Sequence, residues 1–326
     1  MTFAAGRPAV QLCHARTVTG RTVVARAGRP VVTAVVAVVA TVAAALTVVG
    51  CGSPTGSRSA RQPAGASTAG PGTARGPAGG PTLSVPPPPA PTVLTPGPAP
   101  PGSTRGLTVP VLLVHGYGGG AGDVTGWARR LSTAGRSVVL VPLRLSGYAP
   151  IAASAAAVDA AARRVGTAQV DAVGFSLGGL VIREWARVRR PDAPGLRRAA
   201  LVGTPNAGVD VGAGPGGCRA DLACGQLRPG SAYLRGLSAD PRAAGRPGWL
   251  TVASPGDRLV GPPAGVALPG AVNVVVTDVC PGRAPGHGEL TTEPVIAGVL
   301  VELVTAGVRT APRPADCGRL TALGRS

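Results

Sequence analysis

From Leu107 onward, short uninterrupted apolar runs alternate with longer stretches of mixed apolar and polar positions. The runs at 109–116 (VPVLLVHG), 137–143 (SVVLVPL), 169–175 (QVDAVGF), 197–205 (RRAALVGTP), 248–254 (GWLTVAS) and 271–279 (AVNVVVTDV) have the length and β-branched content of strands. Residues 127–135, 153–166, 178–190, 230–240 and 293–307 read as helices, several of them stopped by Gly, and the third by Pro191. Strands written as continuous Val, Ile, Leu and Ala are covered on both faces, and the β-α-β order implies parallel neighbours. The pattern predicts one α/β domain over 107–326, with a mostly parallel six-stranded sheet and helices on both faces. The Gly-rich stretch within 204–237 is the only sizeable insertion, too short for a large helical cap.

Upstream the texture changes twice. Residues 1–29 carry five Arg and no acid, and Val31 to Gly50 runs without a charge, which together read as an export signal. The apolar run is about 20 residues, so a single membrane span is allowed on length alone. Val48 to Cys51 (VVGC) resembles the lipobox of bacterial lipoproteins, in which the cysteine becomes the lipid-bearing mature N-terminus. That resemblance implies acyl chains on Cys51 as the anchor and residues 1–50 as signal peptide. Either reading places the remainder outside the cytoplasm, on the outer face of the membrane or secreted. Residues 51–106 are Gly, Pro, Ser, Thr, Ala and Arg, with too little apolar surface to fold, and read as a disordered tether.

The formal charge of +18 changes little. Every basic residue is Arg, and the chain lacks the clustering and interleaved aromatics of a nucleic-acid surface. Beyond Cys13 and Cys51, the cysteines are Cys218, Cys224, Cys280 and Cys317, and in an exported domain they suggest two disulfides. Three pairings are possible; position favours Cys218–Cys224 as a local loop and Cys280–Cys317 as a tie for the C-terminal tail. Zinc is the weaker alternative, because no C-x-x-C pair exists.

Candidate chemistry centres on Gly174-x-Ser176-x-Gly178. In a chain with 50 Gly and 15 Ser the motif arises by chance about 0.3–0.4 times, so its context decides. Ser176 falls between a predicted strand and a predicted helix, the setting of a nucleophile elbow, where the flanking glycines admit a strained turn. Only His14, His115 and His287 exist as bases. His14 lies in the leader. His115 opens HGYGGG after the first strand, where it serves the loop, and Tyr117 and Leu177 offer the backbone N–H pair of an oxyanion hole beside Gly116. His287 is the remaining base, and Asp257, leaving the fifth strand, is the acid, with Asp278 as the alternative.

The blocks HGYGG, GFSLGG, GTPNAG, CGQLRPGSAYLRGL, SPGDRLVGPP and VCPGRAPGHGEL, in that order over roughly 107–305, resemble the class 2 lipases, a group of small secreted lipases and esterases. The resemblance implies a minimal α/β-hydrolase fold, a Ser-His-Asp triad, no metal or other cofactor, and an ester or acylglycerol substrate. The chain departs from it at Phe175, where many relatives carry His. The reading is a monomeric extracytoplasmic serine ester hydrolase without a nucleic-acid partner. An acyltransferase or thioesterase on the same triad, or a non-catalytic surface lipoprotein, are the alternatives.

Overall fold

The computed structural model describes residues 89–95, 109–211, 222–246 and 248–325. The leader, the VVGC motif, most of the proposed tether and Cys218 lie outside the described residues. The elements follow as β1 (Thr92–Leu94), β2 (Val111–Val114), α1 (Thr125–Thr133), β3 (Val138–Val141), α2 (Ile151–Arg164), β4 (Gln169–Phe175), α3 (Leu177–Val188) and β5 (Gly195–Val202). Next come α4 (Ala223–Leu227), α5 (Ala232–Ala239), β6 (Trp249–Ala253), α6 (Pro263–Val266), β7 (Val272–Val275), α7 (Val276–Val279), α8 (Pro294–Thr305) and α9 (Cys317–Leu323). The sheet order is β1-β3-β2-β4-β5-β6-β7. All pairings are parallel except β1 with β3.

The side-chain alternation of each strand explains why its sequence shows none. Val111 and Leu113 of β2 face a core shared with Trp127 and Leu131 of α1, Leu300 of α8 and Leu320 of α9. Leu112 and Val114 face the opposite core, with Val158 of α2, Trp185 of α3 and Leu237 of α5. Both faces are dry, so both sets of positions must be apolar.

Two expectations need correction. The sheet has seven strands, not six, because Thr92–Leu94 joins its edge antiparallel to β3, with Thr92 opposite Leu140 and Leu94 opposite Val138. That strand lies inside the stretch read as a disordered tether. Its Thr-Val-Leu is a β-prone island among prolines, and an edge strand pairs on one side only, so nearby prolines do not block it. The run at 271–279 also divides: pairing with β6 ends at Val275, and Val276–Val279 turns into a short helix, so Asp278 is not on a strand. Helices α4, α6, α7 and α9, at four to seven residues each, were not predicted from the sequence. They are too short for a helical period to register.

Cys280 and Cys317 are bridged, with 5.1 Å between their Cα atoms, which ties α9 to the end of α7. Cys224 is also disulfide-bonded. Near the start of β4, fully buried Asp171 accepts from Arg136 Nη2 at 2.9 Å and from Arg197 Nε and Nη2 at 2.9 and 2.6 Å. Arg136 also donates to the carbonyls of Val109 and Val304, locking α8 to this end of the sheet. Among the described residues, no helix is long and apolar enough to cross a membrane.

Candidate active site

Strands β2 and β4 are neighbours, and the chain leaves β2 for β3 on one side and β4 for β5 on the other. A crevice opens at the carboxyl ends of the strands at such a reversal, and ligands bind there in open α/β sheets. Ser176 follows the last residue of β4 at this point, with φ 53° and ψ −123°. A non-glycine residue with positive φ costs on the order of 1–3 kcal/mol and persists only where its surroundings over-determine it. Here the Ser176 N–H donates to Val202 O at 2.8 Å, holding the turn to β5.

The flanking glycines have a steric reason. A Cβ on Gly174 would lie 2.5 Å from Gly178 C and Gly179 N, and one on Gly178 would lie 2.7 Å from His115 O. Gly174 thus lets strand and helix close on each other within the turn, and Gly178 lets that turn approach the backbone leaving β2. Leu177 is the first residue of α3, so its N–H has no intrahelical acceptor and points with the positive end of the helix dipole.

His287 Nε2 lies 3.0 Å from Ser176 Oγ, and its Nδ1 lies 2.7 Å from Asp257 Oδ2. A carboxylate can only accept, so Nδ1 carries the proton, and Nε2 is left to accept from the serine hydroxyl. Asp257 is 2% exposed. Its Oδ1 accepts from the N–H groups of Leu259 and Val260 at 3.1 and 3.0 Å, which fixes the carboxylate while Oδ2 faces the imidazole. Of the two candidate acids, Asp257 is the one that touches His287.

His115 stands apart from this relay. It is 2% exposed, its Nδ1–H donates to Gly116 O at 2.9 Å, and its Nε2 accepts from Leu143 N–H at 3.1 Å. Burial pushes its pKa below the ordinary histidine value, in agreement with a neutral ring that accepts at Nε2. The imidazole thus fastens the loop after β2 to the chain leaving β3. Tyr117 lies on that loop and meets Tyr148 edge to face, with ring centroids 4.7 Å apart.

Tyr148 and Gly147 were missed by sequence reasoning. Gly147, at φ 84°, fills a space where a Cβ would lie 3.0 Å from Leu177 Cδ2 and 3.1 Å from Gly116 O. The turn at Arg144–Gly147 thus packs against both Leu177 and Gly116, with Leu145 and Ser146 also at positive φ. The one available signal was the Ser-Gly pair in RLSGY just after the second strand, a turn mark with no hint of its tertiary contact.

These features define the α/β-hydrolase fold. Among solved structures, Aspergillus fumigatus lipase B is similar with a TM-score of 0.52 and 15% identity, over 71% of this chain and 64% of that one. This chain therefore spans just under two thirds of that lipase structure. Bacillus licheniformis lipase BlEst2 in its mature form has a TM-score of 0.51 and 14% identity, over 67% of this chain and 99% of that one. At such identities the likeness is one of fold. No protein-family profile and no curated protein sequence matches the chain.

Proposed function

We propose that this protein is a serine carboxylic-ester hydrolase of the class 2 lipase type, exported and held at the outer face of the membrane through Cys51. The observation that carries the reading is the relay Ser176–His287–Asp257 at 3.0 and 2.7 Å, set on a strained strand-to-helix turn. In this mechanism Ser176 Oγ attacks the ester carbonyl carbon while its proton passes to His287 Nε2. Asp257 holds the imidazole tautomer and stabilises the imidazolium. The tetrahedral oxyanion accepts from the N–H groups of Leu177 and Tyr117, each such donor contributing about 2.7–4 kcal/mol to lowering the barrier. Collapse breaks the carbonyl–alkoxide bond, the His287 proton goes to the leaving alcohol, and Ser176 is left acylated. Water then attacks the acyl-enzyme by the same route, returning its proton through His287.

The substrate side of the reading is an ester of modest or medium acyl length, bound in an open site. Leu145, Tyr148 and Leu259, each about half exposed, follow the oxyanion and acid segments in the chain and supply apolar surface for an acyl group. The similar structures bear the name lipase, which agrees with an ester substrate.

A fluorophosphonate probe tests the reaction class, and p-nitrophenyl esters of increasing acyl length test the substrate. Stoichiometric labelling of wild type, none of Ser176→Ala, and hydrolysis peaking at short to medium chains are expected. Equal labelling of both proteins would overturn the proposal. The mass of the mature N-terminal peptide tests whether Cys51 is acylated.

A further inference from the structure

Phe175 is the last residue of β4 and immediately precedes Ser176. Its ring centroid lies 4.9 Å from that of His287 with only 30° between the planes, a tilted stack rather than an edge contact. Trp127 of α1 also meets the Phe175 ring, nearly perpendicular to it at 84° with centroids 6.0 Å apart. The ring is 8% exposed, so it cannot swing out to solvent. It also reaches the oxyanion loop, since a Cβ on Gly116 would lie 3.3 Å from Phe175 Cδ1. One side chain therefore touches the base, adjoins the nucleophile in sequence and borders the loop that carries the oxyanion donor.

We propose that Phe175 is a positioning residue for His287. Its face backs the imidazole, keeps Nε2 aimed at Ser176 Oγ, and favours the imidazolium that forms during attack. The hydrogen bonds of His287 to Asp257 and Ser176 fix two points of the ring but leave it free to rock about the line between them. A flat apolar face pressed against the imidazole removes that motion. The negative face of an aromatic ring also attracts a cation placed over it. Trp127 matters because it keeps the Phe175 ring from tilting away in turn.

The charged groups on the other elements packed around His287 are set independently of Phe175. Asp257 reaches it from the turn after β6. On its own loop, the Glu289 carboxylate accepts from Gly286 N–H at 2.8 Å. Neither contact involves the phenyl ring.

This inference rests on the ester-hydrolase reading, and its test separates the two. The pH dependence of kcat/KM for a p-nitrophenyl ester is measured for wild type, Phe175→Leu and Phe175→Tyr, with active sites counted by fluorophosphonate and melting followed in parallel. For Phe175→Leu the acidic limb, which reports protonation of the base, is expected to move down by about 0.5–1 pH unit. Plateau kcat per titrated site is expected to fall about 3–10-fold with KM within about 2-fold. Phe175→Tyr, which keeps the aromatic face, is expected to hold the wild-type limb. If Phe175→Leu disturbs packing against Trp127 too far to fold, Phe175→Met, of similar volume and without a flat face, is read the same way. An unmoved limb with unchanged kcat per titrated site, whatever the melting temperature, would mean that Phe175 only fills the core, and overturns this inference alone. A folded wild type that neither labels nor hydrolyses overturns both readings.

Discussion

Asp257→Asn probes the relay with the least disturbance to the fold. The Asp257 carboxylate makes three hydrogen bonds: Oδ1 accepts from the N–H groups of Leu259 and Val260 at 3.1 and 3.0 Å, and Oδ2 accepts from His287 Nδ1 at 2.7 Å. In the variant the amide oxygen keeps the two backbone donors, because an NH2 group placed there would face N–H groups. The amide nitrogen then faces Nδ1 and donates to it, which forces the proton of the imidazole onto Nε2. Nε2 lies 3.0 Å from Ser176 Oγ and, protonated, can no longer take the serine proton. An inverted tautomer of this kind costs on the order of 10^4 in kcat, equivalent to about 5.5 kcal/mol of barrier. Because the backbone donors stay satisfied, the expected loss of stability is small, about 1 kcal/mol, that of a single replaced hydrogen bond. The assay is kcat/KM on a p-nitrophenyl ester, with urea unfolding as the control and Asp278→Asn as the comparison. Asp278→Asn is expected to stay within about 2-fold of wild type. Activity of Asp257→Asn within ten-fold of wild type, or a deeper loss in Asp278→Asn, would refute the assignment of the acid.

Three further outcomes follow from the geometry. Asp171→Asn leaves Arg136 buried against a neutral partner and is expected to lower unfolding free energy by about 3–5 kcal/mol, while activity per titrated site holds, because Asp171 lies toward the opposite end of β4 from Ser176. Replacing Cys280 and Cys317 with Ser opens a loop of sequence separation 37, and the chain-entropy argument sets the loss near 4 kcal/mol, read from denaturation midpoints. The depressed pKa of His115 means that the unfolded chain binds its proton more readily than the folded one. Its contribution to stability is therefore complete above about pH 6.5 and is lost as pH falls below that value toward the folded pKa. The melting temperature of wild type should accordingly fall more steeply over that acid range than that of His115→Gln, and parallel pH profiles would contradict the buried neutral ring.

Much of this arrangement was legible in the sequence because each legible part rests on a local rule. The elbow could be read because its glycines stand where strand gives way to helix, and the backbone approaches at Gly174 and Gly178 exclude any side chain. His287 could be read because the chain has only three histidines, and Asp257 because it leaves a strand ahead of that histidine. The illegible parts depend on contacts between segments distant in sequence. Nothing in RLSGY tells that Gly147 will sit between Leu177 and Gly116, or that Tyr148 will meet the ring of Tyr117. Nothing in GFSLGG tells that Phe175 will stack on a histidine over a hundred positions later. The edge strand escaped notice for a different reason: three residues among prolines carry too little periodic signal, and their pairing with β3 is supplied by the sheet already formed.

That edge strand also determines from which side the polypeptide enters the domain. Because β1 runs against β3, its first residue, Thr92, lies opposite Leu140 toward the carboxyl end of β3, and Leu94 lies opposite Val138 at the amino end. The chain thus arrives at the sheet beside the rim that bears Ser176 and runs away from it. Pro89 and Ala90 line a cavity there together with His115, Gly119 and Leu143. A protein immobilised by a graft at Pro89 would have Ser176 on the side nearest its support, and the length of the added linker would control how freely a probe reaches it.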